Sequence, residues 1–183
     1  DGTNATIIGN RPGEFKADRN GIQRVWMDHG YWPVLTIWQY IQQTGDIEIL
    51  LRVAPFFQDG LGMRGTQRNA IQADRSCTGT VAEHMLLEQL TAFCEAGEHG
   101  LLRLRDADWN DALDMAPQRG ESGAFTSAYA GSMELLAKML ETLRQTGKCS
   151  SIDLPKRFEI LLGEEDNWAS IASRREKLNR FCT

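Results

Sequence analysis

The chain has no apolar run of the roughly 20 residues that a membrane-spanning helix needs. No secretory leader is visible either, so neither a membrane anchor nor export is expected. Basic residues are in deficit. Twenty Lys and Arg stand against 25 Asp and Glu, a net charge of -5, which argues against a nucleic-acid backbone as partner. Cysteine is sparse: Cys77, Cys94, Cys149 and Cys182 lie far apart, with no zinc or redox spacing. No metal centre, cofactor or disulfide framework is therefore expected, and the thiols read as reduced, in a cytoplasmic protein. Also missing is a series of alternating strands, so the class reads as all-α.

What is present is a globular composition, 42% hydrophobic and 25% charged, over 183 residues that can bury one full core. The opening Asp1-Gly2-Thr3-Asn4 has no Met and reads as the middle of something larger. Residues 1–31 are rich in glycine and form a long loop. Val34, Ile37, Trp38 and Ile41 recur at helical spacing over 32–44, with Gly45 as the stop. Trp38 fits this stripe and reads as core. A shorter helix follows Asp46, with Ile47, Leu50 and Leu51, halted by Pro55. Residues 58–79 carry four glycines and read as a loop. Thr80 and Glu83 form a capping box for the next helix, whose stripe is Val81, Met85, Leu86, Leu90 and Phe93. A long helix covers about 124–146 with Phe125, Tyr129, Met133, Leu136, Leu140 and Leu143. A last one covers about 165–181, and its charges, Arg174 onward, read as a solvated face. The class is thus helices joined by long loops, as suits an α/α toroid.

The densest chemistry is the run Asp106-Ala107-Asp108-Trp109-Asn110-Asp111-Ala112-Leu113-Asp114, preceded by Glu98-His99-Gly100-Leu101. Acids crowd around one indole, and no base lies inside the run. A sugar site asks for this set: an aromatic face for the pyranose, amides and carboxylates for hydroxyls, and an acid for the leaving oxygen. Two other readings compete. Asp106, Asp108 and Asn110 match positions 1, 3 and 5 of a calcium loop, but Asp111 stands where Gly belongs and Pro117 where Glu belongs. An acidic helix start is the other, because Asp is favoured at N-caps and in first turns.

These strings, with Arg24-Val25-Trp26-Met27-Asp28-His29 upstream and Gly120-Glu121-Ser122 downstream, resemble the cellobiose phosphorylase family, glycoside hydrolase family 94. Its members also phosphorolyse other β-glucosides, β-1,3-oligoglucans among them. The resemblance runs from about Arg24 to Leu143. The chain departs from the pattern in the lead Leu104-Arg105-Asp106-Ala107, in Ala112-Leu113 after the motif, and in Met27-Asp28 where the family has paired acids. These departures point to an outlying branch.

The resemblance implies an (α/α)6 barrel of twelve helices. Five or six are visible, so residues 1–183 read as about half of it, a fragment of a catalytic domain. Residues 1–31 would carry sugar-binding residues and 98–123 would be the catalytic loop. Half a barrel leaves apolar faces uncovered, which suits pairing with another segment or copy, a homo-oligomer. Asp111 is implied as the general acid, and Arg24 and Asp28 as ligands of the glucosyl unit. Trp109 would shape the sugar site. Asn110 and Asp108 are sugar contacts or loop-fixing residues, the latter favoured for Asp108. Trp26 and Tyr31 flank Asp28 and are candidate sugar platforms. Glu121 either meets an acceptor sugar or caps the helix near Ala124. His29 and His99 are phosphate or sugar ligands, or local hydrogen bonders, and His84 reads as packing or surface.

The implied reaction is inverting phosphorolysis of a β-glucan or β-glucoside, with inorganic phosphate as co-substrate and α-glucose 1-phosphate as product. One committed acid suffices, because phosphate is already an anionic nucleophile; a hydrolase needs a second carboxylate to activate water. The family grips phosphate mostly beyond the acid, so the phosphate-binding residues are expected outside this chain, and the segment alone is expected to be inactive. Two alternatives remain at this point. One is an inverting glycoside hydrolase with Asp28 or Glu121 as base. The other is a non-catalytic carbohydrate-binding or assembly module.

Overall fold

A computed structural model describes residues 7–8, 15–16, 27–57, 73–105, 116, 118–163 and 168–182. Five α-helices dominate them: α1 (Tyr31–Thr44), α2 (Val81–Cys94), α3 (Gly123–Gln145), α4 (Phe158–Leu162) and α5 (Ile171–Cys182). Three antiparallel strand pairs accompany them: β1 (Ile7–Ile8) with β2 (Phe15–Lys16), β3 (Val53–Phe57) with β4 (Ala73–Thr80), and β5 (Leu102–Arg103) with β6 (Glu121–Ser122). The packing of helix on helix, with loops between, is that of part of a helical barrel.

Helix α2 is the centre of this arrangement. Its start is set locally. The Thr80 hydroxyl accepts from the Glu83 N–H at 3.2 Å, and the Glu83 carboxylate accepts from the Thr80 N–H. This reciprocal cap satisfies two backbone donors that the first turn would otherwise leave open. One side of α2 joins α1, α3 and the 3-10 helix Ile47–Leu51 in a core of Val34, Ile41, Leu50, Met85, Leu136 and Met139. Trp38 packs against that core. The other side, through Leu90 and Cys94, meets Phe158, Leu161, Leu178 and Phe181 of α4 and α5. A helix covered on both sides buries polar groups as well, and Glu88, Gln89 and Thr91 are buried.

Several expectations are corrected here. The short helix after Asp46 is a 3-10 helix, Ile47–Leu51, and it gives way at Val53 to strand β3, because Val53, Phe56 and Phe57 favour extended backbone and Pro55 blocks a helix. Residues 73–79, expected as loop, belong to β4. It pairs Val53 with Thr80 and Ala54 with Gly79, then shifts register between Pro55 and Phe56. Residues 58–72 lie outside the described residues. The long loop of 1–31 contains the β1–β2 pair, and its helix begins one residue early, at Tyr31. The last helix begins at Ile171 rather than near 165, and the short helix α4 precedes it. Its expected solvated face is partly a packing face, since Arg174 and Lys177 are buried with their cations over Phe93 and Trp168. Among the described residues no helix is long and apolar enough to cross a membrane.

Candidate active site

Two sites expected to bind sugar are anchored by described residues. The first is the turn Met27–Gly30 that leads into α1. The Tyr31 N–H donates to the Asp28 carbonyl at 3.0 Å. The Tyr129 hydroxyl of α3 donates to the Met27 carbonyl at 2.5 Å and accepts from the Gly30 N–H at 3.1 Å. Gln89 of α2 donates to the Gly30 carbonyl at 2.7 Å, and the Ser132 hydroxyl donates to Gln89 Oε1 at 2.7 Å. Gly30 is required by closeness. A Cβ there would stand 2.9 Å from the Tyr129 hydroxyl and 3.0 Å from Glu88 Cβ. On this turn Asp28 Oδ2 accepts from the Trp32 indole N–H at 2.8 Å. Asp28 Oδ1 is shielded and has no hydrogen-bond partner among the described residues.

Beside the turn lies an open cleft of about 550 Å³ between the start of α1, β3 and α2, lined by His29, Trp32, Ile37, His84, Met85 and Glu88 among others. Trp32 is 50% exposed. An indole that is half open, hydrogen-bonded to a carboxylate and set on a cleft wall can stack on a sugar ring while its neighbour binds hydroxyls. His84 stacks on Phe56 with ring centroids 4.0 Å apart, and its Nε2 lies 3.2 Å from the Ala54 carbonyl. Burial lowers its pKa, against the opposing pull of that carbonyl and of Glu83.

The second anchored element is the stem that flanks the acidic run 106–114. The chain leaves α2 through a tight reversal in which the Gly97 N–H donates to the Leu101 carbonyl at 2.7 Å. Strand β5 then pairs with β6, Leu102 against Ser122 and Arg103 against Glu121. The Leu104 N–H donates to the Gly120 carbonyl at 2.9 Å. The chain before 106 and the chain after 115 thereby meet in one stem. Glu121 is the latch. Its carboxylate accepts from the His99 N–H at 3.0 Å, from the His99 ring at 2.9 Å and from the Leu101 N–H at 3.0 Å. The Glu121 side chain is 7% exposed, and a Cβ at Gly97 would collide with it. Desolvation alone would raise its pKa; the hydrogen bonds from His99 and Leu101 together outweigh it and hold the carboxyl below the usual range. Arg105, at the loop entrance, has φ of 53° and pairs with the buried Glu95. The stem is also held from α5, where Arg175 donates to the Ala96 carbonyl at 2.7 Å.

Of the expected site residues, Asp28 and Tyr31 are brought to one turn. Tyr31 packs against the small cluster of Ala92, Leu102 and Tyr129, and its ring meets Trp32 edge-on at 5.0 Å. Glu121 does not cap α3: the Ser122 hydroxyl does, accepting from the Phe125 N–H at 3.1 Å. His99 is a local hydrogen bonder of Glu121. Arg24, Trp26, Asp106, Asp108, Trp109, Asn110, Asp111 and Asp114 lie outside the described residues. Sequence reading passed over Trp32, Gln89, Tyr129 and Ser132. The spacing Asp28–Trp32 at the head of a helix was the available signal for the first. The other three look like ordinary helix residues in sequence. Among the described residues, no group of three His, Cys, Asp or Glu side chains is placed to hold a metal ion.

Comparison with known proteins bears on both elements together. The chain is 28% identical over 132 residues to a 3-O-β-D-glucopyranosyl-β-D-glucuronide phosphorylase of Paenibacillus borealis, covering 71% of this chain and 15% of the relative. It is 30% identical over 90 residues to a solabiose phosphorylase of the same organism, covering 49% of this chain and 10% of that one. An N,N'-diacetylchitobiose phosphorylase of Vibrio furnissii is 25% identical over 134 residues, covering 73% and 14%. The chain thus aligns with only a small part of the length of these relatives. The family model for the catalytic domain of the glycosyl hydrolase 94 superfamily matches residues 9–149, a stretch that takes in the Asp28 turn, α2, the acidic run 106–114 and α3. On that match, over most of its length, the chain belongs to the glycosyl hydrolase 94 superfamily.

Proposed function

We propose that the protein carrying this chain is an inverting phosphorylase of β-glucosides or β-gluco-oligosaccharides, forming α-glucose 1-phosphate. The observation that carries the reading is the Asp108-Trp109-Asn110-Asp111 string inside the family match, on a segment whose relatives are named as phosphorylases. Asp111 protonates the leaving glycosidic oxygen while phosphate attacks the opposite face of the anomeric carbon. The acid must stay protonated near neutral pH, and an apolar neighbour such as Trp109 shifts a carboxyl that way. Arg24 and Asp28 hold hydroxyls of the glucosyl unit, with Trp32 as an aromatic wall beside Asp28. Glu121 serves this reading by latching the loop foot. The relatives' names span a glucosyl-glucuronide, solabiose and N,N'-diacetylchitobiose, so the sugar units on both sides of the cleaved bond are the open variables.

The test is phosphate release from α-glucose 1-phosphate by the full-length protein with a panel of glucose and β-gluco-oligosaccharide acceptors. Release that vanishes in Asp111→Asn supports the reading. Sugar liberated from glucans without phosphate would replace it with hydrolysis. The isolated 183 residues are expected to show no turnover, since the phosphate-gripping residues are expected elsewhere in the protein.

A further inference from the structure

We propose that Tyr129, backed by Gln89 and Ser132, is a positioning residue for Asp28, setting the geometry with which that carboxylate meets the glucosyl unit; this rests on the sugar-binding reading of Asp28. The Tyr129 hydroxyl bridges both ends of a four-residue turn, donating to the Met27 carbonyl at 2.5 Å and accepting from the Gly30 N–H at 3.1 Å. It therefore fixes the span on which Asp28 sits. Gln89 holds the far end through the Gly30 carbonyl at 2.7 Å, which can only accept and so fixes the Gln89 NH2 on that side, and the Ser132 hydroxyl lies 2.7 Å from Gln89 Oε1.

All of these groups are buried, Gln89 and Ser132 to within 1% of full burial. A buried polar network in which each group has a partner selects one arrangement, because every alternative leaves a donor or acceptor unpaired away from water. Core packing needs no such network here: Phe, Leu and Ala would fill the same volume. Nor does it stabilise a helix, since its far partners are carbonyl and amide groups of the turn. What it defines is the placement of Asp28. One Asp28 oxygen is then held by the Trp32 indole at 2.8 Å, and the other is left shielded and without a partner among the described residues. A fixed carboxylate whose exposed oxygen is already oriented by the Trp32 indole offers a hydroxyl one direction of approach at its remaining lone pair.

The experiment is a double-mutant cycle in the full-length enzyme, with Tyr129→Phe, Asp28→Asn and the pair, measured well below the melting temperature of each variant. Tyr129→Phe keeps the ring and removes only the hydroxyl. The expected result is a loss of about tenfold to a hundredfold in kcat/KM for α-glucose 1-phosphate. The double variant is expected to match Asp28→Asn alone, because Tyr129 acts through Asp28. Gln89→Leu, which attacks the same turn from α2, should behave the same way and covers the case in which Tyr129→Phe does not fold. Additive losses, or an unchanged kcat/KM in the folded Tyr129→Phe and Gln89→Leu variants, would overturn the positioning role while leaving the Asp28 reading intact. An unchanged kcat/KM in Asp28→Asn would overturn both.

Discussion

Replacing Glu121 by Gln tests the latch that Glu121 makes with His99 and Leu101. The side chain keeps its size and loses its charge. Three donor groups, the His99 N–H, the His99 ring and the Leu101 N–H, converge on the two carboxylate oxygens. Glutamine offers one acceptor oxygen and turns an NH2 group toward the remaining donors. At least one charge-assisted bond is lost, of a kind that contributes about 1.5–3 kcal/mol. The ion pair with His99 adds little, because that ring is 80% exposed. A loss of about 2 kcal/mol is expected, which lowers the melting temperature of a chain this size by about 4–8 °C. The pH dependence carries a sign. The Glu121 carboxyl titrates below its ordinary range when folded. Its stabilisation is therefore present above the unfolded value, about 4.3, and is lost as pH falls through the lowered folded value. Urea and thermal unfolding of both proteins, followed by circular dichroism at pH 7 and again near pH 3, should show a gap that narrows in acid. Equal midpoints at pH 7, or a gap of the same size at both pH values, would refute the latch. Gly97→Ala offers a second route to the same point, since its Cβ would displace the Glu121 carboxylate. Combined with Glu121→Gln it should cost clearly less than the sum of the two.

Two further outcomes are expected. Thr80→Ala removes one half of the α2 capping box and should cost about 1 kcal/mol in urea unfolding, while Thr80→Ser should cost markedly less. Trp32→Ala removes the cleft wall beside Asp28; on the proposed reading, a rise in KM for sugar of about tenfold, with the melting temperature nearly unchanged because the side chain is half exposed, is the expected signature in the full-length protein, read from initial rates.

Much of the helical frame was legible in the residues themselves. The stripe of Val34, Ile37, Trp38 and Ile41, with Gly45 after it, placed α1 to within a residue, and the Thr80–Glu83 pair placed the start of α2. Such signals are local: a cap or an apolar stripe is written within three or four residues of where it acts. The β3–β4 pair was not legible. Its strands are separated by the 58–72 segment, β4 contains Gly79, and the register shift at Pro55 breaks the alternation that would announce a strand. Helix α4 was missed because five residues hold too little of a helical period to stand out.

The site divides in the same way. The sequence by itself determined the chemistry on offer: Asp108-Trp109-Asn110-Asp111 with its Glu98-His99-Gly100-Leu101 lead, and Asp28 ahead of a helix. Those are statements about residue type and order, and they were enough to bring the glycosyl hydrolase 94 family into view. Only the tertiary structure decided that Glu121 latches the turn at His99, 22 residues away, and leaves the α3 cap to Ser122. Likewise, only the fold shows Tyr129 holding Gly30 from 99 positions down the chain. It also turned Trp32, rather than Tyr31, toward the cleft. A tyrosine, a glutamine and a serine on helices look alike in sequence whether they face water or a turn, because what gives each its role is the partner that packing brings to it.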